Sequence, residues 1–128
     1  MIEVGDRLPE GSFRVKQDDD SMKQVPTGDY FKGQKVVFVG VPGAFTSTCH
    51  VAHIPQFVTN VAAIKAKGVD RIVVMAVNDH HVMKSWSEAL GGKGKIDFVA
   101  DGDADYAKAL GLSVQIPGMG TRVKRFSM

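Results

Sequence analysis

Two stretches of the chain are apolar with almost no alternation: KVVFVGV at residues 35–41 and RIVVMAV at residues 71–77. A strand with one wetted face alternates between apolar and polar positions, whereas a strand covered on both faces does not. Both runs therefore predict interior strands of a parallel sheet. Between them, Val51, Ile54, Val58 and Val61 recur at spacings of three and four, which lays an apolar stripe along a helix. Pro55 predicts a kink within that helix, and Gly68 its end. Strand, helix and strand make a right-handed βαβ unit.

Shorter patterns fill in the rest. SFRVK at 12–16 predicts a short strand and DDDS at 18–21 a charged turn. VMKSWSEALGG predicts a helix with Val82, Met83, Trp86 and Leu90 facing inward, Asp79 as its N-cap and Gly91 ending it. KIDFVA at 95–100 reads as a strand. DGDADYAKALG at 101–111 reads as a helix capped by Asp101 or Asp103 and closed by Gly111. SVQIPGMG at 113–120 reads as a loop, and TRVKRFSM at 121–128 alternates with period two and opens a last strand. The class is α/β, in a single domain over 1–128.

Composition narrows the function classes. With 128 residues, 44% hydrophobic and 23% charged, the chain has the make-up of one globular domain. A net charge of +2, with no long basic stripe, does not point to nucleic acid; Arg122, Lys124 and Arg125 alternate with apolar neighbours as on a strand. No apolar run approaches the roughly 20 residues a membrane span needs. The opening MIEVGDRLPE is acidic and has no apolar centre, so no secretion signal is expected. A single cysteine, Cys49, excludes an internal disulfide and suits a reducing compartment, giving the expectation of a cytoplasmic protein.

Cys49 stands where the run 35–41 gives way to the helical pattern, after Gly43, Thr46, Ser47 and Thr48. In α/β sheets, sites form where strand C-termini meet helix N-termini. Unpaired N–H groups and the helix dipole at such a place favour thiolate over thiol. The alternative is a small buried hydrophobe, but a Thr-Ser-Thr run at a helix start is a poor place for one. His50 and His53 could join Cys49 around a metal, yet a fourth ligand at sensible spacing is missing.

PGAFTSTC resembles the Pro-x-x-x-Thr-x-x-Cys motif of peroxiredoxins. Together with VPGAF, HIP, VNDHHVMKSW and GMGTRVKRF, it resembles the Prx5 (type II, atypical) group over nearly the whole chain. The resemblance implies a thioredoxin-like fold, a mixed central sheet flanked by helices. It implies a peroxidase that reduces hydrogen peroxide and alkyl hydroperoxides without metal or other cofactor. By the same resemblance, Cys49 is the peroxidatic cysteine and Thr46 supplies a hydroxyl to peroxide and thiolate. Pro42 shields the pocket, and Arg125 rather than Arg122 is the arginine that approaches the sulfur.

Departures from the family refine these expectations. Ser47 replaces the usual proline before the Thr-Cys pair, and Val74 stands where many relatives carry a resolving cysteine. The sulfenic acid would then be reduced by an external thiol: glutathione with glutaredoxin, or thioredoxin. The strand hairpin and helix with which relatives end do not follow residue 128. Relatives pair as dimers through the region that here holds Phe45, His80, His81 and Trp86, which implies a homodimer. Two other classes fit a thioredoxin-like fold. One is a redox-responsive binding module. The other is a thiol–disulfide oxidoreductase, although CHVA lacks a second Cys or Ser three residues after Cys49.

Overall fold

The computed structural model describes residues 2–46, 50 and 53–128. Eight strands and five helices alternate along these residues: β1 (Ser12–Lys16), β2 (Met22–Pro26), α1 (Thr27–Phe31), β3 (Val36–Gly40), α2 (Ile54–Thr59), α3 (Val61–Ala66), β4 (Arg71–Ala76), α4 (His80–Ala89), β5 (Asp97–Ala100), α5 (Asp105–Leu110), β6 (Ser113–Ile116), β7 (Gly120–Val123) and β8 (Phe126–Ser127). Among the described residues the main sheet has the order β2-β1-β5-β4-β3-β8, and β6 and β7 form a separate hairpin. β3, β4 and β5 run parallel; β1, β2 and β8 add antiparallel margins, so the sheet is mixed as expected.

The unbroken apolar runs are explained by cover on both faces. In β4, Ile72, Val74 and Ala76 pack with Ile54, Met83 and Trp86 on one side, while Val73 and Met75 pack with Phe13, Tyr106 and Leu110 on the other. α2, α3 and α4 thus share one face of the sheet with the Trp86 cluster, and α5 lies on the opposite face. No helix among the described residues is long and apolar enough to cross a membrane.

Several local expectations are corrected. Pro55 sits in the first turn of α2, where its missing N–H is harmless, in a helix that begins directly after a π-helical position at His53, and not in the middle of an α-helix. The break falls instead at Asn60, between α2 and α3. Val51, at the head of the apolar stripe, lies outside the described residues. Asp79 does cap α4, accepting from Val82 N at 2.9 Å. For α5, neither Asp101 nor Asp103 is the N-cap; that position is Ala104, in a left-handed conformation. Asp101 acts from one turn away, its two carboxylate oxygens accepting from Tyr106 N and Ala107 N at 3.0 and 2.8 Å.

The segment 113–120 is no loop but most of a hairpin, β6 to β7, with its tip at 117–119. TRVKRFSM is accordingly not one strand. β7 ends at Val123, residues 124–125 cross over, and β8 then pairs antiparallel with β3. Period-two alternation would put Val123 and Arg125 on one face; the crossover separates them, with Val123 fully buried and Arg125 exposed. β2 and α1 complete the fold without having announced themselves in the apolar pattern.

Candidate active site

β3 and β4 end side by side, with Val41 N donating to Met75 O at 3.0 Å. This pins the chain as it leaves the sheet and starts the loop 42–46. Pro42 and Thr46 are half-buried in that loop, and Gly43 and Ala44 are buried. The Thr46 hydroxyl donates to Gly43 O at 2.7 Å. Its one proton is committed there, so its lone pairs remain as acceptors. Phe45 holds a left-handed backbone (φ 61°) and is 50% exposed, a combination of strain and exposed apolar area that is uncommon for an aromatic residue.

Beyond the loop, His50 N donates back to Thr46 O at 2.8 Å. Cys49, with Ser47 and Thr48, lies outside the described residues. Its described neighbours on either side are well tied. Trp86, 0% exposed, donates its indole N–H to His50 Nδ1 at 3.0 Å. Indole can only donate, so Nδ1 of His50 is the acceptor and carries no proton. Phe45 stacks on the same imidazole, with centroids 5.3 Å apart.

Two arginines arrive from the C-terminal segment and go to different places. Arg122, on β7, donates from Nη1 to Pro42 O at 3.2 Å and from Nε to Met119 O at 3.1 Å. Arg125, between β7 and β8, donates from Nη1 to His53 Nδ1 at 2.5 Å, at the mouth of α2. Guanidinium has no acceptor, so this imidazole nitrogen is also unprotonated. Burial, and then the Arg125 charge, lower the His53 pKa below its ordinary value. Arg125 is fixed from its neighbour as well. Phe126 lays its ring over Gly40, where a Cβ would fall 2.0 Å from the ring, and packs edge-on against Phe38. Only glycine at 40 admits this close approach.

Of the residues named from sequence, Pro42 and Thr46 therefore share one loop, and Arg125 meets the helix start that follows it. Asn78 escapes the sequence reading as a functional residue, while His53 enters it only as a metal ligand and Arg122 only as the alternative to Arg125. Asn78 Oδ1 accepts from Ala44 N at 2.8 Å. The available signal was positional: Asn78 lies just past the C-terminal end of the strand paired with β3.

A mixed sheet with a parallel centre, and at its strand ends a loop held by an arginine with a second arginine close by, fits a thioredoxin-like fold, and comparison makes the class specific. The Redoxin family model matches residues 3–128. Peroxiredoxin-2C of Oryza sativa subsp. japonica is 42% identical over 99% of this chain and 80% of its own. A reduced Prx3 in complex with H2O2 from Vibrio vulnificus superposes with a TM-score of 0.95 at 41% identity, covering 100% of this chain and 80% of that one. Peroxiredoxin 5 from Alvinella pompejana gives a TM-score of 0.88 at 29% identity, over 100% and 82% of the two chains. The chain belongs to the peroxiredoxins, of the Prx5 type, and is a thiol peroxidase.

Proposed function

We propose that Cys49 is the peroxide-reactive thiol, that Thr46 and Arg125 serve it directly, and that Pro42 walls the pocket. The thiolate attacks one peroxide oxygen, the O–O bond breaks, and the departing oxygen leaves as hydroxide or alkoxide and takes up a proton. Sulfur is oxidised to sulfenic acid, the reversible rung of cysteine oxidation, while peroxide is reduced to water or alcohol. Thr46 accepts from the peroxide O–H with the lone pairs that its bond to Gly43 O leaves open. Arg125 places a permanent cation near the start of α2, which favours anionic sulfur first and the charge on oxygen afterwards. Pro42 has no N–H to offer water.

The observation that carries this reading is convergence. Thr46 and His53 flank Cys49 in sequence on either side, His50 N bonds back to Thr46 O, and Arg125 reaches His53 from the C-terminal segment. With one cysteine in the chain, an external dithiol or glutathione-type thiol condenses with the sulfenic acid, releasing water. A second thiol frees Cys49 by exchange. Glutaredoxin with glutathione, or thioredoxin, fits that chemistry, in a reducing compartment such as the cytoplasm. Cys49→Ser should abolish peroxide consumption with either reductant system; turnover at the parent rate would refute the assignment.

The same face suits a homodimer. Phe45 and His81 are exposed and His80 is half-buried, while Trp86 is wholly buried within its own chain and supports the surface from beneath. The His80 and His81 rings lie 4.2 Å apart, and burial and that neighbour lower the His80 pKa. Protonating both would crowd charge there. Sedimentation should show a dimer at pH 8 that weakens at pH 5.5; a monomer at both would remove the interface.

A further inference from the structure

The loop 42–46 pivots on Gly43, the residue with most backbone freedom, and the two peptide units flanking that pivot are held from outside the loop. The unit before Gly43 presents Pro42 O, which accepts from Arg122 Nη1 at 3.2 Å. The unit after it presents Ala44 N–H, which donates to Asn78 Oδ1 at 2.8 Å. That second unit also carries Gly43 O, the acceptor of the Thr46 hydroxyl at 2.7 Å. Asn78 therefore grips one end of a peptide whose other end sets where the Thr46 proton points. Arg122 is itself steadied by Met119 O at 3.1 Å. The fit around the pivot is close: a Cβ on Gly43 would fall 2.8 Å from Arg122 Nη1 and 3.0 Å from Thr46 Cγ2.

We infer that Asn78 and Arg122 are positioning residues for peroxide reduction. They lock the two peptides around Gly43 so that the Thr46 hydroxyl keeps its lone pairs turned to the substrate. Neither need touch peroxide; both act through the loop backbone. The inference rests on the reading of Cys49 and Thr46 given above, and it separates Arg122 from Arg125, whose guanidinium goes to His53.

The test uses the 128-residue chain with Asn78→Ala, Arg122→Met, Gly43→Ala and the Gly43→Ala/Arg122→Met pair. Two rates are compared in each: peroxide reduction by stopped flow, and alkylation of Cys49 by iodoacetamide, which requires a thiolate but not the Thr46 hydroxyl. Asn78→Ala and Arg122→Met should each slow peroxide reduction roughly tenfold, the scale of one lost buried or charge-assisted hydrogen bond. Alkylation should stay within about twofold, because thiolate supply is unaltered. No loss with peroxide, or equal losses in both rates, would overturn the inference. Thermal unfolding provides a readout that does not depend on Cys49 chemistry. Gly43→Ala should lower the melting temperature clearly in the parent and by less than half as much beside Arg122→Met; additive shifts would overturn the clamp. A parent chain that consumes no peroxide would sink the reading of Cys49, and the melting cycle would then still judge the clamp geometry. Should Gly43→Ala fail to fold, the two rates in the single variants decide.

Discussion

The loop 42–46 is approached from two sides that are built in opposite ways. On one side, β3 and β4 form a parallel pair covered on both faces, with Val39, Val73, Val74 and Met75 fully buried and Trp86 behind them. On the other, the cations arrive on a four-residue strand, a two-residue crossover and a two-residue strand, of which only Val123 is fully buried. The first region fixes where the loop can be; the second delivers charge to it on a lightly anchored segment. Damage to the first should appear as lost stability, and damage to the second as lost rate.

The largest expected effect breaks the first region. Trp86→Ala removes a wholly buried indole and the donor to His50, and should cost about 3–5 kcal/mol in chemical denaturation. A loss below about 1 kcal/mol would mean that this cluster is not the floor of the site. Next, Arg125→Ala should slow peroxide reduction about 10²- to 10³-fold, as loss of one preorganised donor does, while the unfolding midpoint hardly moves. If stability falls and the rate does not, the division between the two regions is wrong.

Phe126→Ala joins the two regions and should show a smaller mixture. The half-buried ring covers Gly40 and packs on Phe38. Its loss should cost about 1–2 kcal/mol, less than a fully buried phenylalanine, and slow peroxide reduction severalfold because Arg125 loses its anchored neighbour. A rate equal to the parent's would show that Arg125 is held by other means.

The smallest effect concerns pH. His53 is neutral where it accepts from Arg125, and its folded pKa lies below the ordinary 6.5. The unfolded chain therefore takes up this proton first as pH falls. Stability should be fully present above about 6.5 and decline as pH drops through the folded value. His53→Gln, which does not titrate, should flatten the fall in melting temperature between pH 7 and 5. An unchanged slope would assign that dependence to other groups.

The interior of the fold was legible because cover on both faces leaves an unmistakable apolar run, as in residues 35–41 and 71–77. β2 was not, since its residues are exposed but for a half-buried Val25 and give no apolar alternation. The β6–β7 hairpin was hidden by Pro117 and Gly118, which read as a loop when they are in fact its tip. At the candidate site, the motif pointed to the loop 42–46, and Arg125 could be told from Arg122 only through family resemblance. Spacing along an assumed single strand could not foresee the crossover at 124–125, which sends one guanidinium to Pro42 and the other to His53. Asn78 works through backbone groups, which leave no trace in side-chain patterns.

The central claim is that peroxide reacts at Cys49, the chain's one thiol. Intact mass after one equivalent of hydrogen peroxide, with a sulfenic-acid trapping reagent, tests it most directly. The parent should gain one oxygen, captured by the trap at Cys49, and Cys49→Ser should gain neither. An unmodified parent after peroxide has been consumed, or the same adduct on the serine variant, would contradict it.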